Sequence, residues 1–378
     1  MTASALLVLA LIAAPLSATA PDQKPRARDC GITIGILDPG PLNAITDVAG
    51  VRVGHRTLVQ GDSVRTGVTV ILPHAGNLFQ EKVPAAVVVG NGFGKLIGAT
   101  QVQELGVIET PIALTNTLAV WTVADALART VLALPGNESV RSVNPIVGET
   151  NDGFLNDIRG RHVREEHLQD ALRSATGGAV AEGSVGAGTG SVCFGWKGGI
   201  GSSSRRGAER DGAYTVGVLV QTNFGGLLDI DGVPVGRVLN ESGRGPRSAP
   251  GGNGSCMIVV ATDAPLSPHT LARLARRALL ALGRTGSVMS HGSGDYVIAF
   301  TSAESIRVRP GEPEPGGTDV PASQLESLFR AVVESTEEAV LNSLFAATTV
   351  KGTGGHIARE IPIEEVQAIM KRYRRLTD

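Results

Sequence analysis

The sequence predicts a mixed α/β fold. Three observations carry this. Short, nearly unbroken apolar runs at 215–222, 256–262 and 296–301 read as strands, the one at 256–262 buried. Helical periodicity recurs at 118–132, 268–282, 325–347 and 363–375. The two types alternate along the chain, with no internal repeat and no obvious domain boundary.

Each element has a local reason. Val51 to Leu72 alternates apolar and polar residues, with expected turns at His55-Arg56 and Gly61-Asp62. The helix from Pro268 carries Arg273, Arg276 and Arg277 on its expected wet face, and the long helix from Leu325 is expected to expose Glu326, Glu334, Glu337 and Glu338. Gly177 to Ser204 is crowded with Gly and Ser and predicts turns and short strands. Its Gly186-Ala187-Gly188-Thr189-Gly190 run lacks the strand–loop–helix context and the following Gly-Lys-Ser/Thr of a phosphate loop. Arg307 to Gln324 is a Pro/Gly-rich loop.

With 378 residues, 42% of them hydrophobic, the chain can bury one large core or two ordinary ones. A net charge of −2 and a pI near 6.4 give no electrostatic footprint for nucleic acid or an anionic membrane. Residues 1–20 are apolar or small, with an apolar run from Ala5 to Ala14 too short to span a bilayer and small residues at Ser17, Ala18 and Ala20. The expectation is a signal peptide cut near Ala18 or Ala20, a linker over 21–29, and an exported, periplasmic or secreted protein with no membrane association after signal removal. Cys30, Cys193 and Cys256 are odd in number and without paired spacing, which argues against a disulfide framework or zinc site. The seven histidines are scattered, and His162 and His167 are badly spaced for one helical face. No catalytic metal and no cofactor are expected.

Chemistry concentrates at one junction. The loop Ser248-Ala249-Pro250-Gly251-Gly252-Asn253-Gly254 runs into Ser255, which opens the strand Cys256-Met257-Ile258-Val259-Val260-Ala261-Thr262. A cut before Ser255 would place a hydroxyl nucleophile and a free α-amine on one residue, the amine serving as base. Its pKa of roughly 8 leaves a useful unprotonated share near neutrality. Gly254, lacking a Cβ, permits the strained geometry that would expose its carbonyl. Cys256 offers a competing thiol but reads better as a small buried hydrophobe. His291, close to Ser293, keeps a Ser–His alternative open.

These residues resemble the L-aminopeptidase D-amidase/esterase family, which includes the β-aminopeptidases. The blocks that carry the resemblance are Gly254-Ser255 with Ala261-Thr262-Asp263-Ala264-Pro265-Leu266, Gly40 to Val51, Gly148-Glu149-Thr150-Asn151-Asp152-Gly153, Gly195 to Arg205 and Val216 to Gly225. They span most of the chain from about Arg28 onwards. The resemblance implies a four-layer α/β/β/α sandwich of the N-terminal-nucleophile hydrolase type, over one domain at 30–378. It implies self-cleavage into 21–254 and 255–378, a homo-oligomer of the tetrameric kind, and small peptide or amino-acid amide substrates. It assigns Ser255 as nucleophile, Asn223 as oxyanion donor, Ser293 and Asp295 as the pair that positions the nucleophile and its amine, and Glu149 as anchor for the substrate ammonium. Asp295 stands where relatives often carry Glu, and Phe154 where they commonly carry Tyr, so a hydroxyl role is absent there. Asp152 and Asp157 read as exposed or capping residues. The rival readings are an acyltransferase of the related ornithine acetyltransferase fold, which uses Thr as nucleophile, and a non-catalytic exported binding protein.

Overall fold

A computed structural model of the chain describes residues 24–207, 214–246, 254–313 and 320–376. Its strands are β1 (Arg52–Gln60), β2 (Val64–Leu72), β3 (Val83–Gly92), β4 (Leu96–Ile97), β5 (Val107–Ile108), β6 (Ile112–Asn116), β7 (Ile146–Thr150), β8 (Val192–Cys193), β9 (Trp196–Lys197), β10 (Gly199–Arg206), β11 (Thr215–Asn223), β12 (Ser255–Thr262), β13 (Gly294–Thr301), β14 (Val350–Lys351) and β15 (Ile357–Ala358). Its helices are α1 (Ala99–Leu105), α2 (Val120–Leu132), α3 (Glu165–Arg173), α4 (Val235–Glu241), α5 (Pro268–Arg284), α6 (Ala322–Phe345) and α7 (Ile363–Arg372). One sheet has the order β1-β2-β6-β7-β4 and the other β10-β11-β12-β13-β3-β5.

Side-chain alternation sets the layers. Along β12, Met257, Val259 and Ala261 join a core with Leu114 and Ile146 of the other sheet. Cys256, Ile258 and Val260 point the opposite way, into a core with Leu271, Leu274 and Leu344 of α5 and α6. On the five-stranded sheet, Ile71 and Ile112 face the inter-sheet core. Val70, Ala113 and Val147 face Val123, Leu127 and Leu168 of α2 and α3. Helices, sheet, sheet, helices: this is the α/β/β/α sandwich that the resemblance implies. Burial on both faces explains why β11, β12 and β13 read as continuous apolar runs.

Several expectations change in detail. His55-Arg56 makes no turn: β1 pairs with β2 without interruption from Arg52↔Leu72 to Gln60↔Val64. A polar pair is tolerated there because β1 is an edge strand. The expected linker is partly structure. Ala27 is buried, and the Arg26 guanidinium donates to the carbonyls of Asn43 (2.8 Å) and Ser202 (2.7 Å). The expected signal peptide lies outside the described residues. Among the described residues no helix is long and apolar enough to cross a membrane.

The largest correction concerns α6. Glu326 is exposed, but Glu334, Glu337 and Glu338 are buried. The helix lies across β10 and β11, and its acidic face meets arginine side chains, of which Arg205 is fully buried. Arg205 reaches Glu338 at 2.6 Å and Glu334 at 3.3 Å, Arg28 reaches Glu338 at 3.0 Å, and Arg284 pairs with Glu337 at 2.5 Å. Similarly, Arg273 and Arg277 of α5 lie over the Phe329 ring, while Arg276 is exposed.

Candidate active site

Ser255 begins β12, and its side chain takes the inter-sheet direction shared by Met257. The backbone N–H of Gly294, at the start of the parallel neighbour β13, donates to Ser255 Oγ at 3.2 Å and to the Gly254 carbonyl at 3.1 Å. The hydroxyl and the carbonyl of the preceding residue therefore share one donor. The bare Cα of Gly254 has a steric cause: a Cβ would lie 2.2 Å from the Asn223 carbonyl oxygen and 2.5 Å from Phe224 Cα. Close approach, not a left-handed backbone, demands glycine there.

Asn223 ends β11 directly opposite Ser255 in the antiparallel register. Its Oδ1 accepts from the Val192 N–H at 2.8 Å, and its Nδ2 donates to the Asn151 carbonyl at 2.9 Å. These two bonds fix the amide plane and leave one amide hydrogen uncommitted.

Glu149 approaches from the other sheet, on β7. It is 2% exposed. Its Oε1 accepts from the Lys95 N–H at 3.0 Å, and Thr117 Oγ1 donates to Oε2. The Lys95 ammonium stands 3.9 Å away. Burial raises the Glu149 pKa above the usual carboxylate range, against the opposing pull of Thr117 and Lys95. Glu149, Ser255 and Gly254 line one cavity of about 440 Å³, with Lys95, Thr117 and Phe154 among its other walls. A carboxylate and a hydroxyl from different sheets thus face the same space.

Ser293 and Asp295 stand behind this cavity. Strand pairing places Gly294 beside Ser255 and Asp295 beside Cys256, so Asp295 takes the helix-facing side of the sheet. Neither makes a hydrogen bond to the Ser255 hydroxyl. Ser293 Oγ and both Asp295 carboxylate oxygens are buried without hydrogen-bond partners among the described residues. Burial pushes Asp295 up to about 6, while the nearby Ser293 hydroxyl and Cys256 N–H act in the other direction.

The remaining candidates separate cleanly. Cys256 is fully buried on the helix side, where burial, with Asp295 adding to it, pushes the thiol far above its ordinary range. It is no nucleophile in that setting. Phe154 lines the cavity and stacks on His356 with ring centroids 4.5 Å apart. His291 is not among the cavity walls and lies 6.5 Å from the Phe93 ring. Asp157 caps the turn at Gly160, as expected of it. Asp152 differs: it is buried, bonded to Asn156 at 2.9 Å, and pushed by burial up to about 7. Among the described residues, no group of three or more His, Cys, Asp or Glu could hold a metal ion.

Lys95 and Thr117 escaped the sequence reading. Thr117 directly follows strand β6, and Lys95 ends the Gly92-Phe93-Gly94-Lys95 run. Only that glycine spacing hinted at a backbone passing close to something. Gly94 does so, its N–H donating to the Tyr296 hydroxyl at 3.2 Å.

Known proteins share the sequence and the fold of this chain. The β-peptidyl aminopeptidase BapA of Sphingosinicella microcystinivorans is 42% identical over 386 residues, covering 96% of each chain. Among solved structures, a Burkholderia sp. β-aminopeptidase matches with a TM-score of 0.84 and 42% identity, over 92% of this chain and 98% of that one. The L-aminopeptidase D-Ala-esterase/amidase of Ochrobactrum anthropi, described as a prototype for the serine aminopeptidases and a variant of the Ntn hydrolase fold, matches with a TM-score of 0.84 and 36% identity, over 94% of this chain and all of that one. The sequence profile of peptidase family S58 covers residues 43–358. The chain belongs to peptidase family S58, and it is a hydrolase with the N-terminal-nucleophile fold.

Proposed function

We propose that the chain cuts itself between Gly254 and Ser255 and then removes N-terminal residues from short peptides, amides or esters through an acyl-enzyme on Ser255. One observation carries this reading: the Gly294 N–H holds Ser255 Oγ and the Gly254 carbonyl together. Self-cleavage requires that Oγ attack that carbonyl, and the shared donor polarises it as charge develops on its oxygen. The Gly254–Ser255 amide becomes an ester on Oγ. Water then hydrolyses the ester, leaving a carboxylate on Gly254 and a free amine on Ser255.

In turnover the Ser255 amine takes the hydroxyl proton as Oγ attacks the scissile carbonyl. The uncommitted amide hydrogen of Asn223 suits it to the oxyanion. The proton passes to the departing group, and water resolves the acyl-enzyme. Glu149, ionised, anchors the substrate's ammonium and sets the register of attack. Ser293 and Asp295 have a separate part. Their unpartnered oxygens lie behind the strand start, where the new Ser255 ammonium needs acceptors. That arrangement supports a role toward the amine instead of the hydroxyl.

The fragments have reason to stay together. β12 and β13 follow the cut but lie between β11 and β3, which precede it. The β-peptidyl and β-aminopeptidase names of the relatives at 42% identity favour a β-amino acid at the substrate N-terminus. Export and a homotetramer complete the proposal, supported by the apolar stretch at 5–14 and by the family resemblance. Intact mass and N-terminal sequencing of active enzyme test it. The smaller fragment should begin Ser-Cys-Met-Ile and the larger near Thr19 or Pro21; a single uncut chain in fully active enzyme would overturn the mechanism.

A further inference from the structure

The cavity at Ser255 shares two walls with a larger one. Phe154 and His356, stacked on each other, line the catalytic cavity and also a second cavity of about 820 Å³. His356 is held in this position by a 2.8 Å hydrogen bond between its Nδ1 and the Phe154 carbonyl. Trp196 forms part of the second cavity's floor, and two arginines, Arg244 and Arg359, reach its wall. Among the described residues no acidic side chain lines it. Arg244 has a long contact of 3.5 Å with Glu365 on its exposed side. The Arg359 guanidinium has no hydrogen-bond or ion-pair partner among the described residues, although its backbone carbonyl is tied to the Lys197 N–H at 2.7 Å. The backbone is thus anchored while the charge is uncommitted.

The two cavities differ in charge: the catalytic one pairs Glu149 with Lys95, while the adjoining one has only cationic charged walls among the described residues. The catalytic one places the buried carboxylate of Glu149 within the same walls as Ser255. The adjoining one presents two guanidiniums and, among the described residues, no acidic wall, Glu365 meeting Arg244 only at 3.5 Å. We infer that the Arg244–Arg359 cavity receives the C-terminal carboxylate of a short peptide whose N-terminal ammonium is held at Glu149. The inference rests on the aminopeptidase reading and narrows its substrate class to peptides with both termini free. A guanidinium fork matches a carboxylate geometrically, and the open cavity leaves room for leaving groups of more than one length. The Phe154–His356 stack would then be the sill over which the leaving portion of the substrate passes.

The test compares a peptide acid with the same peptide carrying a C-terminal amide. The readout is the ratio of their kcat/KM values, which cancels any general loss of activity. Wild-type enzyme should prefer the acid by about five- to tenfold, the scale expected of a charge-assisted contact at a partly exposed site. In the Arg244→Gln, Arg359→Gln double variant the ratio should fall to about one, and Arg359→Lys should restore part of it. Salt offers a second route that needs no variant. Raising ionic strength from about 0.01 M to about 1 M shortens the screening length roughly tenfold and should shrink the wild-type ratio. Equal turnover of acid and amide by wild type would overturn the inference while leaving the aminopeptidase reading intact. So would a preference that survives both substitutions. Hydrolysis of neither peptide would remove the aminopeptidase reading and this inference with it.

Discussion

Two buried polar clusters lie on the helix-facing side of β10–β13, and they differ in one respect. On α6, the carboxylates of Glu334 and Glu338 are saturated. Glu334 accepts from the Ile36 and Leu37 N–H groups, and Glu338 from Arg205, Arg28 and Asn43. At the start of β13, Ser293 Oγ and both oxygens of Asp295 have no partner among the described residues. The pKa shifts follow. Burial would raise Glu338, but Arg205 and Arg28 outweigh it and hold the group below its ordinary range. Among the described residues Asp295 has no cation beside it, and burial pushes it up to about 6. A saturated network fixes a shape; unsatisfied buried groups are costly and persist where chemistry uses them. The saturated cluster also bridges the proposed cut. Arg28, Asn43 and Arg205 precede Ser255 in the chain, while Glu334 and Glu338 follow it.

The sharpest way to break this contrast is at the proposed nucleophile. Ser255→Ala should leave one uncut chain with no measurable turnover, seen as a single band and a flat progress curve, yet with a normal melt. Arg205→Met attacks the other cluster. It strips Glu338 and Glu334 of their shared cation and should cost about 3–5 kcal/mol, read from denaturant unfolding of the cut enzyme. A loss below about 1 kcal/mol would show that the network is not what holds the fragments.

Glu149→Gln should weaken kcat/KM for free-amine substrates by about 10- to 150-fold, corresponding to about 1.5–3 kcal/mol for a charge-assisted hydrogen bond, and should leave self-cleavage intact. N-acetylated substrates should be poor for the wild type and little affected by the change. Equal losses on both substrates would make Glu149 structural.

Acid should separate the two kinds of carboxylate. Glu149 must be ionised to hold an ammonium, and its pKa is raised, chiefly by burial. The specificity constant should therefore begin to fall above the ordinary glutamate range as pH is lowered. Glu338 has a depressed folded pKa, so its contribution to stability is full above the unfolded value and is lost only as pH falls through the folded one. Activity should thus decline before this contribution to the melting temperature does; the reverse order would undo the assignment. The smallest effect belongs to Cys256→Ala. It should be cut normally, keep its activity within a few-fold, and lose about 1 kcal/mol for the emptied volume.

Much of this was legible in the chain. The runs at 215–222, 256–262 and 296–301 announced strands because both of their faces are covered, so burial leaves no polar residue in the pattern. Ser255 was legible because the Gly254-Ser255 junction is local: loop, small residue and strand are consecutive. The acidic residues of α6 were misread for the complementary reason. A carboxylate at helical spacing looks solvated unless its partner is known, and the partners Arg28 and Arg205 are more than 120 positions away. The orientation of Asp295 was hidden by the same kind of distance. Its face depends on pairing with β12, and the side-chain period of two sends it away from the Ser255 hydroxyl even though Ser293 and Gly294 are its neighbours. Sequence by itself determined the most apolar strands, the longer helices and the candidate nucleophile, because those depend on residues adjacent in the chain. Tertiary structure alone decided which charges are buried, which cavity Glu149 and Ser255 share, and which face each catalytic candidate takes, because those depend on strand pairing and on cations supplied from far along the chain.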